Sequence, residues 1–113
     1  MNKYRNKKTV FEGVTYDSKA EAKYAQILKF MERSGAIKIL ERQPKVYLTE
    51  ARILVKPDFL IQEDGEKRYI DVKGYETSIF RIKKRLWKFY AEHPLYLVDI
   101  NGKLIEIVTP KPR

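Results

Sequence analysis

Three carboxylates and one amine in this chain stand where they could share chemistry. Asp58 lies within Ile53-Leu54-Val55-Lys56-Pro57-Asp58-Phe59-Leu60-Ile61. A Pro-Asp pair ordinarily marks a turn. Apolar residues on both sides favour instead a strand bent at Pro57, because proline interrupts the hydrogen-bond ladder. A carboxylate in such a strand must be solvated, paired or bound to a cation, since an isolated buried charge is very costly. Asp71 and Lys73 sit in Tyr69-Ile70-Asp71-Val72-Lys73, where strand alternation puts both on one face and Ile70 and Val72 on the other. Alone, this D-x-K spacing also describes a half-exposed strand with a paired charge.

The two segments carry more information together. Asp64–Gly65 is a hairpin-turn dipeptide near the midpoint between Asp58 and Asp71. Folding there brings two carboxylates and one ammonium toward the same end of a bent hairpin. Neighbouring carboxylates repel, and a divalent cation relieves that repulsion; all-oxygen donors suit Mg²⁺ or Mn²⁺ rather than zinc. Glu21 is the third acid. It stands three residues after Ser18, the S-x-x-E spacing of a capping box. It also heads an apolar stripe of Tyr24, Ile27, Leu28 and Met31, which aims it at a sheet. Capping and a place beside the cation are compatible.

These residues need elements to hold them. Val10–Phe11 and Val14–Tyr16 around Glu12–Gly13 read as a short hairpin. A helix is expected from Ser18 to about Arg33, with Gly35 at its C′ position. Extended segments follow at residues 37–40, 45–48 and 53–61, then a returning strand at 68–73. A second helix spans about 77–92, with Ile79, Ile82, Leu86 and Phe89 as its apolar face and Arg81, Lys84, Arg85 and Lys88 on another. Phe80, Trp87 and Tyr90 form a second stripe, a candidate homodimer surface. A strand at 95–100, an Asn101–Gly102 turn and a strand at 104–108 close the chain. The order helix, three or so strands, helix, two strands predicts an α/β fold, a central mixed sheet flanked by helices.

Residues 10–109 then form one domain, with a basic arm at 1–9 and a basic tail at 110–113. The hydrophobic fraction of 43% excludes a disordered chain. No run reaches the roughly 18 apolar residues of a membrane span, so no membrane is expected. The polar, basic start does not resemble a secretory signal. The lack of cysteine removes disulfides and thiolate zinc sites and fits a cytoplasmic protein. Lys plus Arg is 24 against 15 for Asp plus Glu, a net charge of +9, and a small domain so basic attracts polyanions. The arm, with Lys3, Arg5, Lys7 and Lys8, and the face with Arg81, Lys84, Arg85 and Lys88 are the expected phosphate contacts. That face is equally a solvated helix surface. His93, the single histidine, sits at a helix end and is expected to cap it.

Pro57-Asp58 followed by Asp71-Val72-Lys73 and preceded by helical Glu21 resembles the PD-(D/E)XK nuclease superfamily. Asp17 to Tyr24, D-S-K-x-E-A-x-x-Y, is similar to small phage-encoded nucleases of that group, and the compact layout resembles archaeal-type Holliday junction resolvases. The resemblance covers roughly residues 10–100. It implies a restriction-endonuclease-like αβββαβ core and a structure-selective endodeoxyribonuclease acting on branched four-way junctions, with two sites in a homodimer. It implies that Asp58 and Asp71 bind Mg²⁺ or Mn²⁺ with the Val72 carbonyl, and that Glu21 is an outer or direct ligand. Lys73 would orient or activate the attacking water or stabilise the phosphorane. Gln43 corresponds to a glutamine kept near the metal in some of these nucleases, and a turn-capping role is the simpler expectation. In a phage the setting would be the host-cell cytoplasm. Two other readings are a general or nicking phage endonuclease and a non-catalytic DNA-binding module.

Overall fold

The computed structural model describes residues 8–112; the arm positions Lys3, Arg5 and Lys7 lie outside the described residues. The elements are β1 (Thr9–Phe11), β2 (Val14–Tyr16), α1 (Lys19–Arg33), β3 (Lys38–Arg42), β4 (Val46–Leu48), β5 (Ile53–Val55), β6 (Phe59–Glu63), β7 (Glu66–Val72), α2 (Ser78–Tyr90), β8 (Leu95–Val98) and β9 (Leu104–Val108). Five strands form one mixed sheet in the order β3-β6-β7-β8-β9. The β7–β8 pair, joined through α2, is parallel, and the other neighbours are antiparallel. β1–β2 and β4–β5 are separate two-stranded hairpins. The expected mixed α/β architecture is present. β1 begins at Thr9, inside the segment expected to be arm, and the Lys111 amide of the tail donates to the Lys88 carbonyl at 2.8 Å.

Local chemistry explains the hinges. Asp64 and Gly65 have φ of 52° and 79°, the paired positive values of the two-residue turn that matches strand twist. The turn before β9 is wider than its Asn-Gly dipeptide implies. The Asp99 carboxylate accepts the amides of Asn101 and Lys103 at 2.8 and 2.9 Å, an aspartate-built turn.

The sheet is covered on both faces. On one side α1 packs Ala22, Ala25 and Leu28 against Phe59, Ile61, Ile70 and Val98. Two alanines let that helix sit close, while Ile27 of the expected stripe is 40% exposed. On the other side α2 and the β4–β5 hairpin enclose Leu48, Phe80, Trp87, Leu95, Leu97 and Val108.

The orientation of α2 overturns the expected apolar face. Ile79, Ile82 and Phe89 are 65%, 57% and 58% exposed, whereas Trp87 is fully buried and Phe80 is 8% exposed. An indole buries more area than an isoleucine and needs a partner for its N–H. Trp87 Nε1 donates to the His93 carbonyl at 2.9 Å, and its ring meets Tyr69 edge-on at 5.2 Å. Phe80 and Trp87 therefore belong to this chain's own core and are no dimer surface. His93 lies beyond the Ala91 cap of α2 and holds Trp87 through its backbone instead of capping the helix.

Candidate active site

Asp58 stands one residue before β6, directly after the buried Pro57. Phe59 pairs with Ile70 across the hairpin, so one register step further places Asp58 opposite Asp71 on the same face. The Asp58 amide donates to the Ile70 carbonyl at 3.0 Å, and its own carbonyl accepts the Gln43 amide at 2.8 Å. The expected strand over residues 53–61 is therefore broken: β5 and β6 belong to different sheets, and Asp58 sits at a bend in the link between them, tied by its backbone to Ile70 and Gln43. Its carboxylate accepts the Val72 amide at 2.7 Å and stands across the hairpin from that of Asp71, whose charge it feels.

Asp71 is 6% exposed. Lys73 Nζ stands 2.9 Å from Asp71 Oδ2 and 4.0 Å from the centre of the Phe80 ring. The carboxylate and the aromatic face both hold the ammonium. Strand alternation puts Asp71 on the α2 side of the sheet, as the packing of Tyr69 against Trp87 requires.

Glu21 arrives from the opposite helix. Ser18 caps α1 by accepting the Glu21 amide at 3.0 Å. The Glu21 carboxyl heads the buried stripe of Ala22, Ala25 and Leu28, and Glu21 is 3% exposed. Its Oε1 has no hydrogen-bond partner. The nearest cation is Arg42, at 3.6 Å, itself lying over the Tyr16 ring at 5.1 Å. A buried carboxylate oxygen without a donor is costly and is what a cation would satisfy.

The acids feel one another. Burial raises the pKa of Asp58 well above the ordinary carboxylate value; the charges of Asp71 and Glu21 add to that, and the Val72 amide opposes it. Glu21 is also raised, first by burial and then by Asp17, against the pull of Arg42, the Asp17 amide and the Gln43 side chain. Asp58 and Asp71 meet directly and Glu21 comes close enough to be felt. Among the described residues, no three histidines, cysteines or acids stand close enough together to hold a metal ion as placed. In kind, the donor set nevertheless fits a hard divalent cation: all oxygen, with Asp58 and Asp71 opposed across the hairpin.

Gln43 has φ of 52°, an unusual conformation for a residue with a side chain. Its Nε2 donates to Asp17 at 3.1 Å. It joins the backbone of Asp58 to the start of α1, which is more than turn capping.

The expected basic contacts divide. Lys8, Arg81, Arg85 and Lys88 are exposed. Lys84 is not available: its ammonium lies 2.7 Å from Glu76 and 2.9 Å from Glu106. Burial works against that charge and the two carboxylates outweigh it, leaving its pKa raised. Lys84 therefore fastens α2 to β9. Lys56 and Lys83, which the sequence reading passed over, line a cleft with Asp71 and Lys73 instead. Lys56 could have been found, being two residues from Asp58. Lys83 could not, because the rotation of α2 decides between it and Lys84. Among the described residues, no helix is long and apolar enough to cross a membrane.

No curated protein matches this sequence. The chain belongs to the family described as "Protein of unknown function (DUF1064)", whose model matches residues 1–105.

Proposed function

We propose that this protein is a metal-dependent DNA endonuclease with a restriction-endonuclease-like core. Asp58, Asp71 and the Val72 carbonyl would hold Mg²⁺ or Mn²⁺, with Glu21 as outer or direct ligand and Lys73 as the catalytic cation. The observation that carries the reading is the meeting of Asp58 with Asp71 at the sheet end, with Lys73 paired to Asp71. The buried Glu21 oxygen, which has no hydrogen-bond donor and only the distant Arg42 ion pair at 3.6 Å, adds to it.

Bound there, a divalent cation would neutralise the scissile phosphate and bring a water's pKa toward neutrality. The chain's own groups do the rest. The Val72 amide fixes the Asp58 carboxylate. Lys73, held between Asp71 and the Phe80 ring, is a fixed positive charge beside the place where phosphorane charge would develop. That placement favours charge stabilisation over proton abstraction. The net charge of +9 supplies attraction to DNA irrespective of sequence.

The test is cutting of labelled four-way junction, flap and linear duplex by wild type and Asp71→Asn, with EDTA, Mg²⁺ or Mn²⁺. Metal-dependent cutting lost in Asp71→Asn is expected. Preference for the junction would support the resolvase form of the proposal, and equal cutting of duplex the general endonuclease form. Normal DNA binding with no cutting under either metal would leave the protein a binding module.

A further inference from the structure

A cleft of about 230 Å³ opens beside Asp71, between the link from β5 to β6 and the first turns of α2. Three lysines line it from three elements: Lys56, Lys73 and Lys83. The only acid in the lining is Asp71, which is already paired with Lys73. Among the described residues, neither Lys56 nor Lys83 has an ion-pair partner. The contrast with Lys84 is sharp. One residue along the same helix, that lysine is neutralised by two carboxylates. Positive charge is thus left unmatched where the wall faces the acids and is cancelled where it faces the sheet edge. Like charges around a concave wall concentrate a field that attracts an anion.

We propose that Lys56 and Lys83 form a subsite for a second phosphate of a nucleic-acid strand, next to the phosphate engaged by Asp58, Asp71 and Lys73. The identity of the neighbouring phosphate as the one cut rests on the nuclease reading; the anion subsite itself rests on the cleft. The ligand is a phosphodiester-linked polyanion, not a free phosphate, because the cleft adjoins the acid cluster and one strand can span both. Ile79, exposed in the same wall, offers an apolar surface to the intervening sugar. The consequence is a requirement for at least one further phosphate on that side of the cut.

The experiment measures binding of a short labelled duplex by anisotropy across salt concentrations, with Ca²⁺ in place of Mg²⁺. It compares wild type, Lys56→Ala/Lys83→Ala, and Lys38→Ala/Lys67→Ala at the opposite end of the sheet. Loss of one phosphate contact lowers the slope of log affinity against log salt by about one unit. That fall is expected in the first pair and not in the second. An unchanged slope in the first pair, or an equal fall in both, overturns the subsite. Lys56→Gln/Lys83→Gln, matched to wild type in unfolding midpoint, keeps the result readable if the alanines unfold. The same proteins are assayed for cutting with Mg²⁺. A slope change without any cutting by wild type supports the subsite and defeats the nuclease reading. Cutting with no slope change does the reverse.

Discussion

Asp58→Asn should make the metal-free protein more stable and the enzyme nearly inert. Asp58 stands opposite Asp71 across the hairpin and feels its charge and that of Glu21. At the reference separation of about 4 Å, two like charges repel by about 4 kcal/mol at an effective dielectric near 20. Relaxation and solvent take up part of that, and a gain of about 2 kcal/mol, half the full repulsion, is expected where both groups are charged. For a domain of this size, that corresponds to a rise in Tm of roughly 8 °C. Asparagine keeps an oxygen for the Val72 amide and turns an N–H toward Asp71, so little is lost in exchange.

The pH dependence has a definite sign. The folded pKa of Asp58 lies above its unfolded value. Between the two values the native state binds more protons than the unfolded chain, so stability falls as pH rises through that window. Below the ordinary carboxylate range the two proteins should therefore melt together. Above it Asp58→Asn should pull ahead, reaching its full advantage once pH exceeds the folded pKa. Melting curves in EDTA, followed by Trp87 emission at several pH values, read this directly. Adding Mg²⁺ should raise the Tm of wild type, by about 1.4 kcal/mol of stability at a tenfold excess over Kd, and of the variant by less. Cutting should fall on the order of 10²-fold or more. An Asp58→Asn protein that melts at or below wild type across the whole pH range would refute the crowding on which the site depends.

Three further outcomes separate structural from catalytic roles. Ser18→Ala removes the α1 cap at a cost of about 1 kcal/mol and should leave cutting intact in the folded protein, whereas Glu21→Gln should lose cutting without loss of Tm. Lys84→Met should lower Tm by a few degrees, since its two partly exposed ion pairs are worth about 1 kcal/mol together, and should not change the salt dependence of DNA binding. Trp87→Ala should cost about 3–5 kcal/mol, while Ile82→Glu, on the exposed side of α2, should stay within roughly 0.5 kcal/mol of wild type; urea unfolding followed by far-UV circular dichroism compares the two.

How much of this was legible in the chain depends on whether the deciding signal was local. Asp64–Gly65 has one well-favoured use, so the β6–β7 hairpin, its register and the meeting of Asp58 with Asp71 follow from residues within one short segment. Ser18 with Glu21 likewise marks the start of α1, and the buried alanines fix which way Glu21 points. The rotation of α2 had no such local arbiter. Its sequence offers one stripe through Ile79, Ile82 and Phe89 and another through Phe80 and Trp87, and periodicity weighs them alike. Partners elsewhere break the tie: the His93 carbonyl and the Tyr69 ring, which receive the indole, and Glu106 on β9, which receives Lys84. The same rotation places Lys83 in the cleft beside Asp71 and turns Lys84 away from it. Which lysines meet a ligand is therefore decided by where a tryptophan finds a hydrogen-bond acceptor, a contact that no charge pattern along the helix records.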